Sequence, residues 1–331
     1  RTAFSLPELA EIAAQNHHIF KELQYLSNID YKPIRYISFA HDEETYKALE
    51  ASKAWSKAEM IAPKQFREEI SPYFNANPKK YISALVSEDC WQATPGKVVD
   101  LVRNLGIAAG GTVMEDCRVL EACREGKYTS VLVQTHDKKY VEYRTEHFVN
   151  ALGSGAGKLC DSMGIDAGLY PVRHQAFITR RLPMLGKHGT NLDMLIDRQD
   201  YKGFSAVYGQ QIAYTGQIIG CASPKLDAMR IDKNLKVNTK AFLEIVSEMF
   251  SEWIPDLAGV GIQAVWAGYY TEPRYIVDPE LGLFVGMRGH GFMLSQYIAR
   301  MYVDKLLGRP VPEYFEKLKL NGPGLSEKAF K

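Results

Sequence analysis

The sequence lacks the features that define several large classes of protein. Its 331 residues contain no stretch of roughly 18 uninterrupted apolar residues, the length that a membrane-spanning helix needs. No signal-peptide pattern opens it. An excess of one charge is also missing, since 40 Lys and Arg stand against 39 Asp and Glu, so bulk electrostatics give no reason to expect a nucleic acid or an anionic membrane as a partner. We therefore expect a cytoplasmic protein that binds no nucleic acid.

Cysteine and histidine are too few and too scattered to predict a metal centre. None of the 5 cysteines forms a CxxC pair, and an odd number without a framework is typical of a reducing compartment. Among the 8 histidines only His17 and His18 are adjacent, and neighbours on a helix point about 100° apart. No HExxH spacing occurs. The sequence therefore predicts no metal site.

The composition is that of an ordinary globular protein, 46% apolar and 24% charged, and at roughly 150 residues per domain the length suggests two domains. Helical spacing from Leu9 to Leu23 predicts a long first helix, with a capping box over 5–8. A β-rich meander is predicted within 118–152, its last strand including 146–152, and a helix over 239–253. Helices and strands alternate and then strands predominate, which favours a mixed α/β architecture.

The segment NALGSGAGKL, Asn150–Leu159, is rich in glycine but matches neither common nucleotide-binding motif. A P-loop needs Gly where Leu152 stands and Ser or Thr where Leu159 stands. A GxGxxG fingerprint that starts at Gly153 needs Gly at Lys158. What remains is a strand that ends in a small-residue turn. The turn is either plain structure or a place where the backbone approaches a ligand.

The segment GLFVGMRGHGFML, Gly282–Leu294, has four glycines around the end of a predicted strand and the start of a predicted helix. Amides at a helix N-terminus attract electron-rich ligands, and Arg288 and His290 add polar groups there. A strand, a glycine turn and a helix also occur together as plain structure. Both a binding turn and a structural turn therefore remain open.

Four segments, taken in order, point to one known family. They are the meander with Val119, FVNALGSGAGKL ending at Leu159, YPVRHQAF from Tyr170, and GYYTEPRYIVDPELGLFVGMRGHGF from Gly268. Together they resemble the flavin-dependent amino acid and amine oxidoreductases of the D-amino acid oxidase superfamily, to which sarcosine oxidases, glycine oxidases and dye-linked proline dehydrogenases belong. The resemblance runs over almost the whole chain, and the GHGF turn followed by a helix is its most specific part.

The resemblance implies an α/β fold of mixed α+β character, in which an FAD-binding Rossmann-like domain is interleaved with a mixed β-sheet substrate domain. The FAD-binding domain would comprise 1–30, 85–168 and 271–331, and the substrate-binding domain 31–84 and 169–270. The family's N-terminal GxGxxG unit does not occur in this sequence, which would then start inside the FAD-binding domain.

The resemblance also implies, by matching position, which residues meet the cofactor, and it suggests where a substrate would bind. The flavin itself would carry out the chemistry, with Arg288 and Tyr270 as the candidate catalytic residues. An amino acid substrate would need a cation for its carboxylate, and Arg288 is the first candidate, followed by Arg173 and Arg274. Tyr208 and Tyr269 are the other expected substrate-binding residues. An ion pair within the protein for each arginine and core packing for each tyrosine stay open. The expected cofactor-binding residues are Val119, Ala151, Leu152, Gly153, Gly286, Met287, Arg288, Gly289, His290, Gly291, Phe292 and Met293. Glycine would be needed beside the flavin because a side chain would collide with it.

Three departures from the family pattern shape the expected activity. Gly268 or Tyr269 stands where sarcosine oxidases attach their flavin through a cysteine, which implies non-covalent FAD. Met293 stands where they have a carboxylate-binding lysine, and Ile218 where they have an oxygen-activating lysine. Without that cation, electron transfer to oxygen loses its electrostatic stabilisation. This favours a dehydrogenase over an oxidase.

The expected function is oxidation of the C–N bond of a small amino acid or secondary amine, such as proline or sarcosine, by hydride transfer to FAD. Electrons would pass to a quinone, a dye or a protein, or to oxygen, and a peripheral membrane location through the acceptor stays open. The competing hypothesis is a non-catalytic or partner-dependent subunit that keeps the flavoprotein fold. Both hypotheses allow a homo- or hetero-oligomer.

Overall fold

The computed structural model describes residues 1–75, 78–182, 192–198, 204–212, 215–224 and 239–325. The α-helices are α1 (Pro7–Leu26), α2 (Glu43–Ala51), α3 (Phe66–Glu69), α4 (Pro95–Ala108), α5 (Ala156–Ser162), α6 (Thr239–Trp253) and α7 (Gly291–Leu306). The strands are β1 (Lys32–Pro33), β2 (Tyr36–Ala40), β3 (Ala58–Ile61), β4 (Ser83–Ser87), β5 (Trp91–Gln92), β6 (Arg118–Glu125), β7 (Tyr128–Gln134), β8 (Tyr140–Thr145), β9 (Tyr170–Thr179), β10 (Met194–Asp197), β11 (Phe204–Gln211), β12 (Ile218–Pro224), β13 (Ile262–Glu272), β14 (Ile276–Asp278) and β15 (Leu283–Val285).

An eight-stranded mixed sheet in the order β13-β9-β12-β11-β10-β2-β4-β3 organises the fold. Its pairs are antiparallel except for β10 and β2, which run parallel. Two separate stretches of chain, one before α4 and one after α5, therefore contribute strands to the same sheet. One face packs against α6, where Phe177 and Val207 meet Phe242, Phe250 and Trp253 in the largest apolar core.

The opposite face of this sheet carries a different set of side chains, because successive residues of a strand point to opposite sides. Tyr208 pairs with Cys221, Cys221 with Ala176, and Ala176 with Trp266. Two residues further along the strands, His174 pairs with Gly268. This face of the sheet can therefore contribute side chains to a binding site, whereas the other face packs in the α6 core.

Most of the remaining elements form smaller cores of their own, whereas α3 packs with α6 through Phe66. Helices α1 and α7 lie together, with Leu9, Ile12, Leu294 and Ile298 in their shared core. Strands β14 and β15 form a short antiparallel pair, which packs with α5, and the meander β6-β7-β8 forms a separate sheet. The loop that leads from β15 into α7 is thereby held over the sheet.

The fold class predicted from the sequence, a mixed α/β protein, is confirmed. Helix α6 begins and ends where its apolar periodicity predicts. The strand predicted over 146–152 is wrong, because the backbone there makes only one parallel bridge, from Asn150 to Leu283. The capping box is also wrong, since Leu6 is the N-cap of α1 and no side chain caps it.

The division into two domains stays a prediction, and two of its boundaries fall inside strands. The boundary before residue 85 cuts β4, which continues to Ser87, and the boundary before residue 271 cuts β13, which continues to Glu272. Over the described ranges, none of the helices combines the length and the apolarity needed to cross a membrane.

A buried polar network fixes the end of β10 to the elements around it. The Nε2 atom of His41 lies 2.5 Å from Oδ1 of Asp197, and its Nδ1 atom lies 2.7 Å from the carbonyl oxygen of Lys80. Tyr81 donates to the other carboxylate oxygen of Asp197 at 3.1 Å and accepts from Trp253 at 3.3 Å. Both ring nitrogens of His41 face acceptors, so the doubly protonated imidazolium fits this site. Accordingly the pKa of His41 is raised, against the opposing effect of burial, by its hydrogen bond to Asp197.

This network predicts a pH-dependent contribution to stability. A raised pKa in the folded state means that the contribution is complete below the unfolded value, about 6.5, and is lost as the pH rises through the folded value. We expect His41→Gln to lower the free energy of unfolding by about 2 kcal/mol at pH 5.5 and by clearly less at pH 9. Urea unfolding at the two pH values measures this difference. The exposed His136→Gln is the control, and an equal loss at both pH values would contradict the prediction.

Candidate functional site

The candidate site is a pair of adjoining cavities between the free face of the large sheet and the elements above it. The first, of about 340 Å³, is lined among others by His174, Tyr208, Gln210, Cys221, Trp266 and Tyr270, and we call it the sheet cavity. The second, of about 380 Å³, lies beside α1 and the start of α7 and is lined among others by His17, Phe20, Tyr31, Trp91, Phe292 and Met293. We call it the helix cavity. Met194 and Gln210 line both.

Tyr270 lines the sheet cavity and contacts two of its other lining residues, His174 and Tyr208. Its ring stacks on that of His174, with centroids 3.8 Å apart and planes inclined by 27°. Its hydroxyl oxygen lies 3.1 Å from that of Tyr208. Burial raises the pKa of Tyr270 to about 12 and that of Tyr208 well above its ordinary value, so both side chains are neutral hydroxyls near pH 7.

His174 and Gly268 give this cavity a polar atom and open space. Burial lowers the pKa of His174 to about 4, so its imidazole is neutral near pH 7. Its Nδ1 atom is buried and has no hydrogen-bond partner within the protein. On the neighbouring strand, a Cβ placed on Gly268 would meet no atom within 4 Å. A ligand in this space would find a neutral nitrogen with which to bond.

The loop between β15 and α7 presses closely against β13, and its glycines are required by that contact. A Cβ on Gly289 would lie 2.5 Å from Cε2 of Tyr270. At Gly286, which has a φ of +70°, a Cβ would lie 2.0 Å from the carbonyl oxygen of Arg274. Atoms of the chain itself therefore already exclude a side chain at both positions, and the expectation that these glycines also make room for a cofactor stays a prediction.

Arg288 lies in the same loop with an unusual backbone, at a φ of +51°. Its amide donates to the carbonyl oxygen of Thr271, and its Nε atom donates to Oε2 of Glu272 at 2.7 Å. The side chain is only 6% exposed, yet its Nη1 atom is buried without a hydrogen-bond partner. One edge of the guanidinium is thus held by a carboxylate and part of the other is left for a second acceptor.

His290 marks a concentration of positive charge beside these cavities. Its Nδ1 atom lies 2.5 Å from the hydroxyl of Tyr275, and its Nε2 atom lies 3.3 Å from Nη2 of Arg1. Burial, together with Arg1, Arg288 and Arg198, lowers the pKa of His290 well below its ordinary value. The imidazole is therefore neutral, and the surrounding guanidiniums create a potential that favours an anionic group.

The structure brings together part of the residue set expected from the sequence. Tyr208, Tyr269 and Tyr270 line the sheet cavity, and Phe292 and Met293 line the helix cavity. Gly286, Met287, Arg288, Gly289, His290 and Gly291 form the loop and the first residue of α7 next to them. The short helical turn Gly153–Gly155, which follows Ala151 and Leu152, contacts β13.

Other expected residues lie elsewhere, for identifiable reasons. The guanidinium of Arg274 donates to the carbonyl oxygens of Leu320 and Gly322, so it fastens the C-terminal segment rather than a substrate. Arg173 lines neither cavity, because strand alternation turns it to the opposite face from His174. Val119 packs in the separate core of the meander.

Ile218 likewise faces away from the site. It is buried in the α6 core, and its neighbour Ile219 lines the sheet cavity instead.

Sequence reasoning missed His174, Gln210 and Arg1 as site residues. His174 lies within the quoted segment YPVRHQAF, and alternation from the core residue Phe177 would have put it on the opposite face. Arg1 lines the helix cavity, and its guanidinium lies over the ring of Phe4, 4.1 Å from the ring centroid. No local pattern signals Gln210 or Arg1, since both reach the site through contacts between distant segments.

Comparisons with known proteins identify the family and the fold of the chain. The chain matches the profile of a family described as FAD dependent oxidoreductase over residues 2–305. Its fold is similar to that of L-proline dehydrogenase from P. horikoshii (TM-score 0.78, 22% identity, 97% of this chain and 87% of that chain). It is also similar to glycine oxidase from Geobacillus kaustophilus (TM-score 0.75, 17% identity, 97% of this chain and 84% of that chain). A third similar structure is dithionite-reduced L-alpha-glycerophosphate oxidase from Mycoplasma pneumoniae with FAD bound (TM-score 0.67, 16% identity, 89% of this chain and 79% of that chain). No curated protein sequence matches.

The close contact between Gly289 and Tyr270 predicts a sensitive position. We expect Gly289→Ala to displace the Tyr270 ring and to lower the free energy of unfolding by about 1 to 3 kcal/mol, as overpacking does. Gly96→Ala is the matched control, because a Cβ there meets no atom within 4 Å. It should leave stability unchanged or raise it by up to about 1 kcal/mol in the first turn of α4. Chemical denaturation measures both, and equal stabilities for the two variants would contradict the contact.

Proposed function

The chain belongs to the family of FAD-dependent oxidoreductases, which confirms the resemblance of its motifs, and on that premise we propose that it is a dehydrogenase of a small amino acid or secondary amine. The bond oxidised is the C–N bond, and proline and sarcosine are the first substrates to test. The single observation that carries the proposal is the pairing of a neutral, aromatic sheet cavity with a cluster of guanidiniums around His290, in the loop that packs against Tyr270. The names of the similar proteins, L-proline dehydrogenase and glycine oxidase, support the same substrate class.

The described residues fit FAD at three points. The open space beside Gly268 admits a planar ring against the sheet. The N-cap of α7, His290, makes no side-chain cap, so the amides of the first turn are available to an electron-rich group. The positive potential around His290 suits the negative charge that a reduced flavin carries. We propose that the loop from Gly286 to Met293 and the segment from Ala151 to Gly153 hold the cofactor, and that Val119 meets its nucleotide end.

Two observations about possible attachment points for the flavin support non-covalent binding of FAD. Gly268 occupies the position that resembles the flavin-linking cysteine of sarcosine oxidases. Cys221 does line the sheet cavity, but burial raises its pKa to about 11, so it is a thiol near neutral pH. Because the thiolate is the reactive form of cysteine, this side chain is poorly suited to attach to a ring.

When bound, FAD supplies the acceptor for a hydride from the carbon next to the substrate nitrogen. The chain's own contribution is to place that nitrogen in neutral surroundings. None of the described residues that line the sheet cavity is an Asp, Glu, Lys or Arg. Desolvation in such a cavity lowers the pKa of an amine, which favours the neutral form that can release a hydride. The buried Nδ1 atom of His174 and the Tyr270 hydroxyl are the groups that can hold the amine.

The substrate carboxylate would bind beside the guanidiniums that surround His290. Arg288 is the proposed partner of the carboxylate because its Nη1 atom is buried without a hydrogen-bond acceptor. Its hydrogen bond to Glu272 fixes the direction of the side chain. Arg1, near His290, adds positive charge on the same side. A carboxylate at this edge and an amine in the neutral cavity give the substrate one orientation.

The same neutrality supports a dehydrogenase rather than an oxidase. Stabilising the first reduced form of oxygen requires a positive charge that is close to the flavin and is not already paired with the substrate carboxylate, as the guanidinium of Arg288 would be. Ile219, not a lysine, lines the sheet cavity next to the position where the family resemblance predicts one. We therefore propose an acceptor other than oxygen.

The proposed function is tested with the full-length protein. It should contain FAD that is released on denaturation, with no mass added to the polypeptide. Anaerobic addition of L-proline or sarcosine should bleach the flavin absorption, and a dye or quinone should reoxidise it at least about tenfold faster than dissolved oxygen. A protein that remains colourless after FAD is added would support the competing hypothesis, a partner-dependent subunit. Faster reoxidation by oxygen would make it an oxidase.

Replacement of Arg288 tests the carboxylate site. We expect Arg288→Met to lower kcat/KM for the amino acid by about 10- to 100-fold, the effect of losing one or two charged hydrogen bonds, while an amine without a carboxylate is unaffected. The variant Glu272→Gln/Arg288→Met removes the carboxylate left unpaired and should behave in the same way. Arg274→Met should affect stability without changing this selectivity. A uniform loss for both substrates would assign Arg288 a purely structural role.

A further inference from the structure

We propose that the helix cavity is the binding site of the electron acceptor, and that this acceptor is a small neutral quinone. The inference rests on the proposed function, which requires an acceptor other than oxygen. It adds the chemical class of that acceptor and a site for it distinct from the sheet cavity.

The walls of the helix cavity are suited to a flat conjugated ring. Tyr31 and Trp91 stack with centroids 4.9 Å apart and planes inclined by 23°. The ring centroids of His17 and Trp91 are 4.7 Å apart, and those of Phe20 and Phe292, which meet edge to face, are 5.5 Å apart. Aromatic side chains at such spacings bind planar rings by stacking and edge contacts, in addition to the effect of buried area. Purely aliphatic ligands would gain less from these walls.

The polar groups of this cavity suit a ligand with carbonyl oxygens and no charge. The side-chain amides of Gln92 and Gln210 are joined by a hydrogen bond of 2.6 Å, which leaves further N–H groups to donate. The Nδ1 atom of His17 lies 2.7 Å from the hydroxyl of Tyr31, and the pKa of His17 is lowered to about 4, chiefly by burial. The charged lining residues, Arg1 and Asp89, have opposite signs.

The position of the helix cavity matches the role of an acceptor site. It shares Met194 and Gln210 with the sheet cavity, so the two occupants would lie side by side on one face of the sheet. Met194 pairs directly with Tyr36 on the neighbouring strand, and Tyr36 also lines the helix cavity. A recess of about 380 Å³ holds a small molecule, whereas the surface of a protein acceptor could not enter it. This favours a quinone over a protein.

The electron and proton balance closes with a quinone as the named co-reactant. The substrate loses a hydride from carbon and a proton from nitrogen, and a C=N bond forms. Bound FAD would carry the two electrons to the quinone, which would take up two protons and leave as the quinol. No other oxidant is required.

The test uses the full-length, FAD-loaded protein and menadione as the probe. Isothermal titration calorimetry of the oxidised protein should show one binding site. We expect Trp91→Leu to weaken menadione binding about tenfold, whereas Trp91→Phe, which keeps an aromatic ring, should stay within about threefold of the parent. Tyr25→Leu is the control, because Tyr25 lies on α1, which borders the helix cavity, but is 91% exposed. It should bind menadione as the parent does.

The outcomes separate this inference from the proposed function. Anaerobic bleaching of the flavin by substrate, measured without quinone, should be the same in the parent and in Trp91→Leu, while the KM for menadione rises only in the variant. If substrate bleaches the flavin but menadione fails to bind, or binds equally to Trp91→Leu, the quinone site is overturned and the dehydrogenase stands. If menadione binds as expected but no amine bleaches the flavin, the proposed substrate class fails and the quinone-binding site stands.

Discussion

Strand alternation in the eight-stranded sheet is the constraint on which the rest of the molecule depends. Phe177 enters the α6 core, so its neighbours of even number, His174 and Ala176, face the sheet cavity. A shift of one residue in the register of β9 would exchange the two sets and turn the imidazole of His174 towards the face that packs against α6. One register therefore determines both the apolar core that stabilises the sheet and the side chains that the site can use.

The loop from β15 to α7 depends on that sheet in turn. Tyr270 occupies the space where a Cβ on Gly289 would have to lie, and the carbonyl of Arg274 does the same at Gly286. The loop reaches this position only because glycine lets the two backbones approach. It brings with it Arg288, whose direction is then fixed by Glu272. Steric fit between two distant segments thus sets where the positive charge lies, before any ligand is considered.

The features that could be predicted from the sequence are those with a local signal. The periodicity of α6 and the glycine turn before α7 lie within short stretches of chain, and the turn was the most specific of the four segments that together indicated the family. The sheet order could not be predicted, because β2 and β10 are parallel neighbours that come from remote parts of the chain. The same limit explains Arg274, whose acceptors at Leu320 and Gly322 decide its role and carry no motif. Gln210 lines the site because of the register in which β11 pairs with its neighbouring strands, which no motif signals.

The uneven distribution of charge links substrate orientation to the choice of acceptor. Guanidiniums are concentrated around His290, whereas the described walls of the sheet cavity carry no formal charge. On the proposed function, the first feature attracts a carboxylate, and the second favours a neutral amine, since no anion nearby stabilises its protonated form. A dedicated catalytic base is then unnecessary, and the neutral His174 needs only to accept a hydrogen bond. The same lack of charge gives no stabilisation to a reduced oxygen species. Neutral walls therefore make the amine a better hydride donor and oxygen a poorer acceptor through one physical cause.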